Sequence, residues 1–388
     1  FPCTSVATGC GNGAQNSFSG GNIDSFVARL SGDLKTLKQS TYLGGSNGEN
    51  IYGLAVTSNG DVIVGGYTWS PDFPCTGAVT GCGDGAQNTY GGGDDDGFVS
   101  LLSGDLKTLR QSTYLGGSVG DRIAGLALTS MDDVIVVGTT SSPDFLCPAS
   151  AATSCGDGAQ NSYGGGLSDG FVARLSSNLK ILQRSTFLGG SITDQITSVA
   201  VASNGDVIVG GVTRSSDFPC TLANTTTGCG DGAQKSFGGG SQDGFVARLS
   251  ADLKTLQQST YLGGANSDAV YGVGETSNGD VIAGGATASG DFPCTQASTA
   301  MGCGDGAQNS FGGGGSDGFV ARLAGDLKTL LQSTYLGGAD SDLPKVVAVT
   351  SNGDVIVAGY TRSIDFPCTL ASATPECGDG AQKIYGGG

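Results

Sequence analysis

The chain has 388 residues, with 35 acidic against 18 basic side chains, no histidine and a formal charge of -17. That balance argues against nucleic acid and anionic membrane as partners, both of which are met by a basic footprint; it suits a self-repelling surface or one that binds cations. Glycine supplies 71 residues, far above the roughly 7% of average proteins, with no collagen triplet register and too much apolar content for disorder.

In chain order, Phe1-Pro2-Cys3 opens a segment that runs through Cys10 and Gly11-Asn12-Gly13-Ala14-Gln15. Phe26 to Leu30 and Thr36 to Leu43 follow as two short strands. From Ile51 a full unit is legible. Leu54-Ala55-Val56-Thr57 predicts an apolar strand, Ser58-Asn59-Gly60 a hairpin turn, and Asp61 to Tyr67 its return, because Asn-Gly between β-branched runs is a strong hairpin signal. Phe73-Pro74-Cys75 then opens a loop, Gly97 to Leu102 reads as a third strand, Ser103-Gly104-Asp105-Leu106 turns it, and Leu109 to Leu115 returns as a fourth. The opening recurs at Phe218, Phe292 and Phe366, with Phe145-Leu146-Cys147 as its variant, so the period is 72 to 74 residues. The chain ends on a first and second strand, Val346 to Thr350 and Val355 to Tyr360, and a last loop from Phe366 to Gly388.

Four strands per unit at this period predict an all-β fold: a β-propeller of four-stranded antiparallel blades in five repeats, each with a loop closed by a disulfide. An open superhelix of the same units is the alternative. We expect one repeat domain over 1–388, in which 1–45 and 346–388 are complementary half-blades carrying a duplicated cysteine loop. The first strand, the most apolar, suits a crowded central axis. Polar load is expected on outer strands, as in the third-strand residues Arg29, Arg174, Arg248 and Arg322.

The twelve cysteines pair by sequence: Cys3 with Cys10, Cys75 with Cys82, Cys147 with Cys155, Cys220 with Cys229, Cys294 with Cys303, and Cys368 with Cys377. Without histidine or a C-x2-C spacing, zinc is a poor reading, and local disulfides are the better one. Each would remove roughly 2.5 kcal/mol of unfolded-state loop entropy on the chain-entropy model. Such bridges imply an oxidising compartment. The start at Phe1 without methionine, and the lack of a leader or apolar span, read as a mature or trimmed piece of a secreted protein. Asn224-Thr225-Thr226 is a glycosylation sequon inside one cysteine loop.

Gly53-Leu54-Ala55-Val56 with Ser58-Asn59-Gly60-Asp61-Val62, Tyr67-Thr68, Asp72-Phe73-Pro74, Gly170-Phe171-Val172-Ala173-Arg174-Leu175, and Ser259-Thr260-Tyr261-Leu262-Gly263-Gly264 together resemble the SBBP-type β-propeller repeat of secreted bacterial and archaeal proteins. The resemblance covers nearly the whole chain. It implies a propeller fold and an extracellular setting and supplies no catalytic residues to transfer. The cysteine loop inserted after Asp-Phe-Pro departs from the usual repeat.

Acids recur at five places per repeat: the hairpin (Asp61, Asp133, Asp206, Asp280, Asp354), before Phe-Pro (Asp72, Asp144, Asp217, Asp291, Asp365), after Cys-Gly, before the third strand and before the first. Turn capping explains most of them. Calcium, which needs hard oxygen donors, is the functional alternative. Its candidates are Asp84, Asp157, Asp231 and Asp305 after Cys-Gly, Asp94, Asp95 and Asp96 in an acidic run, and Asp169, Asp243 and Asp317 before the third strand. The acids before the first strand are Glu49, Asp121, Asp194, Asp268 and Asp342. Glu275 stands where other repeats have an apolar residue, and Lys345 is a second singular charge; both are expected near the axis, with Glu275 lining a channel or paired.

With no histidine, no recurrent nucleophile context and no P-loop, the sequence gives no enzyme signature, and no cofactor is required. We expect an extracellular structural or adhesive protein that assembles with itself, a fibre subunit among its forms, or that binds a cell surface or glycan. A lectin-like module with one sugar site per blade is the alternative, with Trp69 as a residue that could stack on a sugar.

Overall fold

The structure, a computed structural model, describes residues 12–75, 84–145, 157–220, 231–294 and 306–367. All regular structure among them is antiparallel β, with no helix. The chain divides into two compact units, Phe1–Leu188 with Asp252–Lys254, and Gly189–Ala251 with Thr255–Gly388.

The first unit opens with a two-stranded sheet, β1 (Ser25–Leu30) and β2 (Leu37–Leu43). A four-stranded sheet follows: β3 (Glu49–Val56), β4 (Val62–Thr68), β5 (Asp96–Leu102) and β6 (Leu109–Leu115), each paired with the next in sequence. The same meander returns as β7 (Asp121–Leu128), β8 (Val134–Thr140), β9 (Asp169–Leu175) and β10 (Leu182–Leu188). The second unit repeats it as β11 (Asp194–Val201), β12 (Val207–Thr213), β13 (Asp243–Leu249) and β14 (Leu256–Leu262). Then come β15 (Asp268–Glu275), β16 (Val281–Thr287), β17 (Asp317–Leu323) and β18 (Leu330–Leu336), and the unit closes on a two-stranded sheet, β19 (Asp342–Val349) and β20 (Val355–Thr361). The four-strand repeat and the half-sheets at both ends agree with the sequence reading.

The first strand of each sheet begins earlier than its apolar run suggested, because the acid at its head is already paired: Glu49 lies opposite Thr68, Asp121 opposite Thr140. A bulge between Ile51 and Gly53 interrupts this pairing. Gly66 is required there, since any Cβ on it would collide with the Asn50 carbonyl. The hairpin turns at Gly60 with φ 86° while Asn59 stays outside the left-handed region. Thr57 to Gly60 therefore makes a turn closed by the Gly60 N–H on the Thr57 carbonyl, followed by a glycine in the conformation its missing Cβ permits.

The strands of a sheet differ in burial. The second and third strands are almost wholly buried, as in β4, β5, β8 and β9, whereas the first strand is only partly so. The third-strand arginines divide: Arg174 and Arg248 turn inward onto the hairpin acids Asp133 and Asp206 at 2.8 and 3.0 Å, whereas Arg322, paired with Asp280 at 2.6 Å, is 43% exposed and Arg29 is exposed as expected. Neighbouring sheets share their cores. In the first unit Ile63, Val99 and Leu115 pack with Ile123, Val136 and Phe171; in the second, Ile208 and Val246 pack with Val270, Ala283 and Phe319.

Two devices lock each loop to its sheet. Tyr114 donates to the Ser70 carbonyl and accepts from the Phe73 N–H, both at 3.0 Å, and Tyr261 and Tyr335 do the same for Ser215 with Phe218 and Ser289 with Phe292. Phe187 takes that place in β10 without a hydroxyl. The third-to-fourth-strand turns place Leu106, Leu179 and Leu327 at φ 57–60°, a conformation costing a non-glycine residue roughly 1–2 kcal/mol. Each of these leucines is buried, which offsets the cost, and its carbonyl accepts an N–H from the glycine-rich loop of the preceding repeat: Ala14 to Leu106, Ala86 to Leu179, Ala233 to Leu327.

Of the cysteines, Cys75, Cys220 and Cys294 lie among the described residues, and none of the three is free. The other nine lie outside the described residues, as do Asn224 and Asp305.

Candidate functional site

The most unusual chemistry sits where the fourth strand of one sheet hands over to the first strand of the next. In the first unit, β6 ends in Gly116-Gly117. Gln87 is fixed to β6 by paired bonds with Thr113 and accepts the Gly116 N–H on its side-chain oxygen at 2.9 Å. Asp96, heading β5, takes the Gly91 N–H on Oδ2. Asp121, heading β7, takes the Gly117 N–H at 2.7 Å and the Ser142 hydroxyl at 2.8 Å on its own Oδ2. Both carboxylates are buried, and both leave Oδ1 buried without a hydrogen-bond donor.

The two acids converge on Gly116. A methyl group there would lie 2.5 Å from Asp96 Oδ1 and 3.0 Å from Asp121 Oδ2. Glycine is therefore demanded by the acids as much as by the backbone. The arrangement recurs. In the second unit Asp243 and Asp268 both lie 2.8 Å from the corresponding point on Gly263, and Asp317 lies 2.7 Å from that on Gly337, with Asp342 as its partner. At the head of the first unit Asp24 and Glu49 meet at Gly44. In all four pairs each acid has one buried oxygen without a donor.

Burial raises the pKa values accordingly. Asp96 and Asp243 are pushed up to about 7 by burial, with a contribution from the negative charge of Asp121 and Asp268. Burial likewise raises Asp121, Asp268 and Asp317 to about 6, and lifts Asp24 and Glu49 above the usual range. None of these acids forms an ion pair among the described residues. Around the Asp96 pair the nearest charges are Asp95, bonded to Arg122 at 2.6 Å, and Asp144, which is held below the usual range by the Ser118 N–H. Two facing carboxylates that share no counter-charge cannot both ionise cheaply in a buried place. Chemically, such a pair holds either one proton or one cation.

The candidates from sequence separate into two groups. Asp84 and Asp231 are exposed and face Lys180 and Lys328 of the next repeat, which ties neighbouring repeats together, while the exposed Asp157 faces Arg184 of its own repeat. Asp94 is exposed and Asp95 is taken by Arg122. Asp96, Asp243 and Asp317 belong to the buried pairs, while Asp169 heads β9 in the same register. Their partners Glu49, Asp121, Asp268 and Asp342 recur in the sequence with no local sign of which acid each one faces. The signal was present: first and second members stand 25 residues apart in every repeat, although the repeat length itself varies. Among the described residues no three acidic or sulfur side chains converge on one point.

The singular charges have local partners. Glu275 accepts the Ser203 N–H at 2.7 Å and lies 3.5 Å from Arg248. In the first unit Asp132, at φ 61°, caps Ser58 in the same way. Lys345 sits 3.9 Å from the Tyr271 ring centre and 5.6 Å from that of Tyr360. Trp69 packs edge-on against Tyr67, which stacks on Tyr52 and lies under Arg122.

No family model matches the sequence, and no curated protein does either. Solved structures are similar only at a distance. A protein of unknown function from Bacteroides caccae is 11% identical over 81% of this chain and 94% of its own, with a TM-score of 0.26. The Neurospora crassa Pan2 WD40 domain is 9% identical over 80% and 86%, with a TM-score of 0.28. A GH43 β-xylosidase/α-arabinofuranosidase from a compost metagenome is 10% identical over 81% and 94%, with a TM-score of 0.30. Likenesses this slight carry no argument, and the fold stands on the strand pairing itself.

Proposed function

We propose that this chain is an extracellular structural protein of β-propeller type that assembles head to tail with copies of itself. The observation that carries the reading is that β1–β2 and β19–β20 are two-stranded sheets whose open edges would together complete one four-stranded sheet. β1 and β20 are each the outer strand of a two-stranded sheet. In complete sheets the second strand pairs with the third from Val62 opposite Leu102 to Thr68 opposite Asp96. The same register sets Val355 opposite Leu30 and Gly359 opposite Phe26 in a neighbouring copy.

Side chains support the match. Leu34 occupies the left-handed turn position of Leu106, yet is 75% exposed where Leu106 is 1% exposed. Ala307, the counterpart of the alanines that cap those leucines, is exposed. Phe26 is 56% exposed, whereas Phe98, Phe245 and Phe319 are fully buried against Phe73, Phe218 and Phe292 at 4.2–4.3 Å between ring centres. Beside β20 a cavity of about 300 Å³, lined by Leu336, Pro344, Val357 and Phe366, lies where the third strand's phenylalanine would go. A second copy supplies all of these at once.

Electron microscopy and sedimentation of the natural chain test the reading. Regular filaments that grow with concentration are expected, and Ala28→Pro, which blocks the open edge of β1, should abolish them. A monomer at every concentration, with β1 amides protected from exchange, would mean that the chain closes on itself. The secreted setting rests on the loop disulfides: the intact mass should lack twelve thiol hydrogens, and thiols that react under denaturing conditions would remove this part of the proposal. The lectin reading draws on the Tyr52–Tyr67–Trp69 cluster; because that cluster is not repeated, it would make one sugar site, and glycan-array binding lost in Trp69→Ala would favour it.

A further inference from the structure

We infer that each buried acid pair between successive sheets is a binding site for a divalent cation of calcium's kind. The pairs are Asp24 with Glu49, Asp96 with Asp121, Asp243 with Asp268, and Asp317 with Asp342. Three observations converge. Each acid presents a buried oxygen that no donor reaches, which is rare in folded proteins and marks a missing partner. The members of a pair converge on a glycine: at Gly44 the two donor-less oxygens, Glu49 Oε2 and Asp24 Oδ1, both face it, and at Gly116 and Gly263 the donor-less Oδ1 of Asp96 and Asp243 faces it beside Oδ2 of Asp121 and Asp268.

The third observation concerns the donors on the other oxygens. The remaining oxygen of each acid is already held by donors suited to the ionised form: Gly117 and Ser142 on Asp121, Gly264 and Ser289 on Asp268, Gly338 and Ser363 on Asp342. Bonds of that kind favour the carboxylate over the acid. Where both members ionise, a positive charge is the missing component, and no lysine or arginine among the described residues supplies it. Oxygen-only donors select a hard cation; carboxylates are the protein's charged ligands, and backbone oxygens and water fill the remaining positions. A cation so placed would join the third strand of one sheet to the first of the next. It would also neutralise acids that contribute to the charge of -17.

The test uses the full chain, stripped with chelator and dialysed, with calcium chloride as the probe. Native mass spectrometry should count one ion for each of the four pairs, and calorimetric titration should place the affinity at about 0.1–1 mM, the range of extracellular calcium modules. Asp121→Asn and Asp268→Asn should each lower the count by one, and together by two. Asp94→Asn, in an exposed loop, should leave it unchanged. Terbium luminescence needs no variant: Tyr90 and Tyr114, near the Asp96 pair, should sensitise bound terbium, and calcium should displace it. No bound calcium at millimolar concentration, a count indifferent to Asp121→Asn, or no displaceable luminescence would each overturn the inference. The count is made on dilute monomer, so it stands or falls independently of filament formation.

Discussion

The sheet β3–β6 and the half-sheet β1–β2 are built from nearly the same words, and they differ in almost every measure of burial. Phe98 and Leu106 are sealed in the first, while Phe26 and Leu34 stand open in the second. The same turn, with a leucine at positive φ, forms in both places. Local sequence therefore makes the turn, and the neighbouring repeat only stabilises it. At the other end β19–β20 shows the converse deficiency, with Val355, Ile356 and Tyr360 exposed where Val62 and Ile63 are buried. A repeat here is a half-finished object whose core is completed by whatever stands next to it.

The largest expected effect contrasts the two phenylalanines. Phe98→Ala should cost about 3–5 kcal/mol in denaturant unfolding, the usual price of emptying a buried aromatic site. Phe26→Ala should change the monomer's stability by less than about 1 kcal/mol and instead weaken assembly in sedimentation. Equal losses for both would erase the distinction between complete and incomplete sheets.

A second effect, on the order of 3 kcal/mol per acid, is the pH dependence of the chelator-stripped protein. Asp96 and Asp121 have raised values, about 7 and 6, so the folded state holds protons more tightly than the unfolded chain. Their stabilising contribution is complete below pH 4 and is lost as pH rises through 6 to 7. Thermal melts across that range should fall in chelator and flatten in calcium. A flat profile in chelator would show that the pairs are relieved in some other way.

Tyr114→Phe is expected to cost about 1–3 kcal/mol, because the buried Ser70 carbonyl loses its hydroxyl partner. The β7–β10 sheet already tolerates Phe187 at this position, so Phe187→Ala should cost more than Tyr114→Phe. Smallest is Glu275→Gln, at about 1 kcal/mol, because Gln can still accept from Ser203 while Arg248 keeps Asp206 at 3.0 Å. Chemical denaturation of single variants checks both.

Much of the fold is legible from one dimension. Asn59-Gly60 marks the hairpin, Gly97 to Leu102 the third strand, and the period fixes the number of sheets. What was misread is burial: Leu54 and Val56 are the apolar residues that flagged the first strand, yet both are exposed in β3, and the arginine-bearing third strand is inside. An apolar alternation tells that one face packs, and not how many neighbours cover it. In the candidate site, Asp96 was singled out because it lies in an acidic run. Asp121 lacked such a flag, because its partner is 25 residues away and only the fold brings the two to Gly116.

The sequence by itself determined the strands, the turns and the repeat, because these depend on side-chain alternation, glycine at strained positions and a period that every copy obeys. The tertiary structure alone decided which acids face each other and which leucines are covered. Electrostatic pairing and burial are properties of distance, and distance between residues 25 or more apart is set only when one sheet packs against the next.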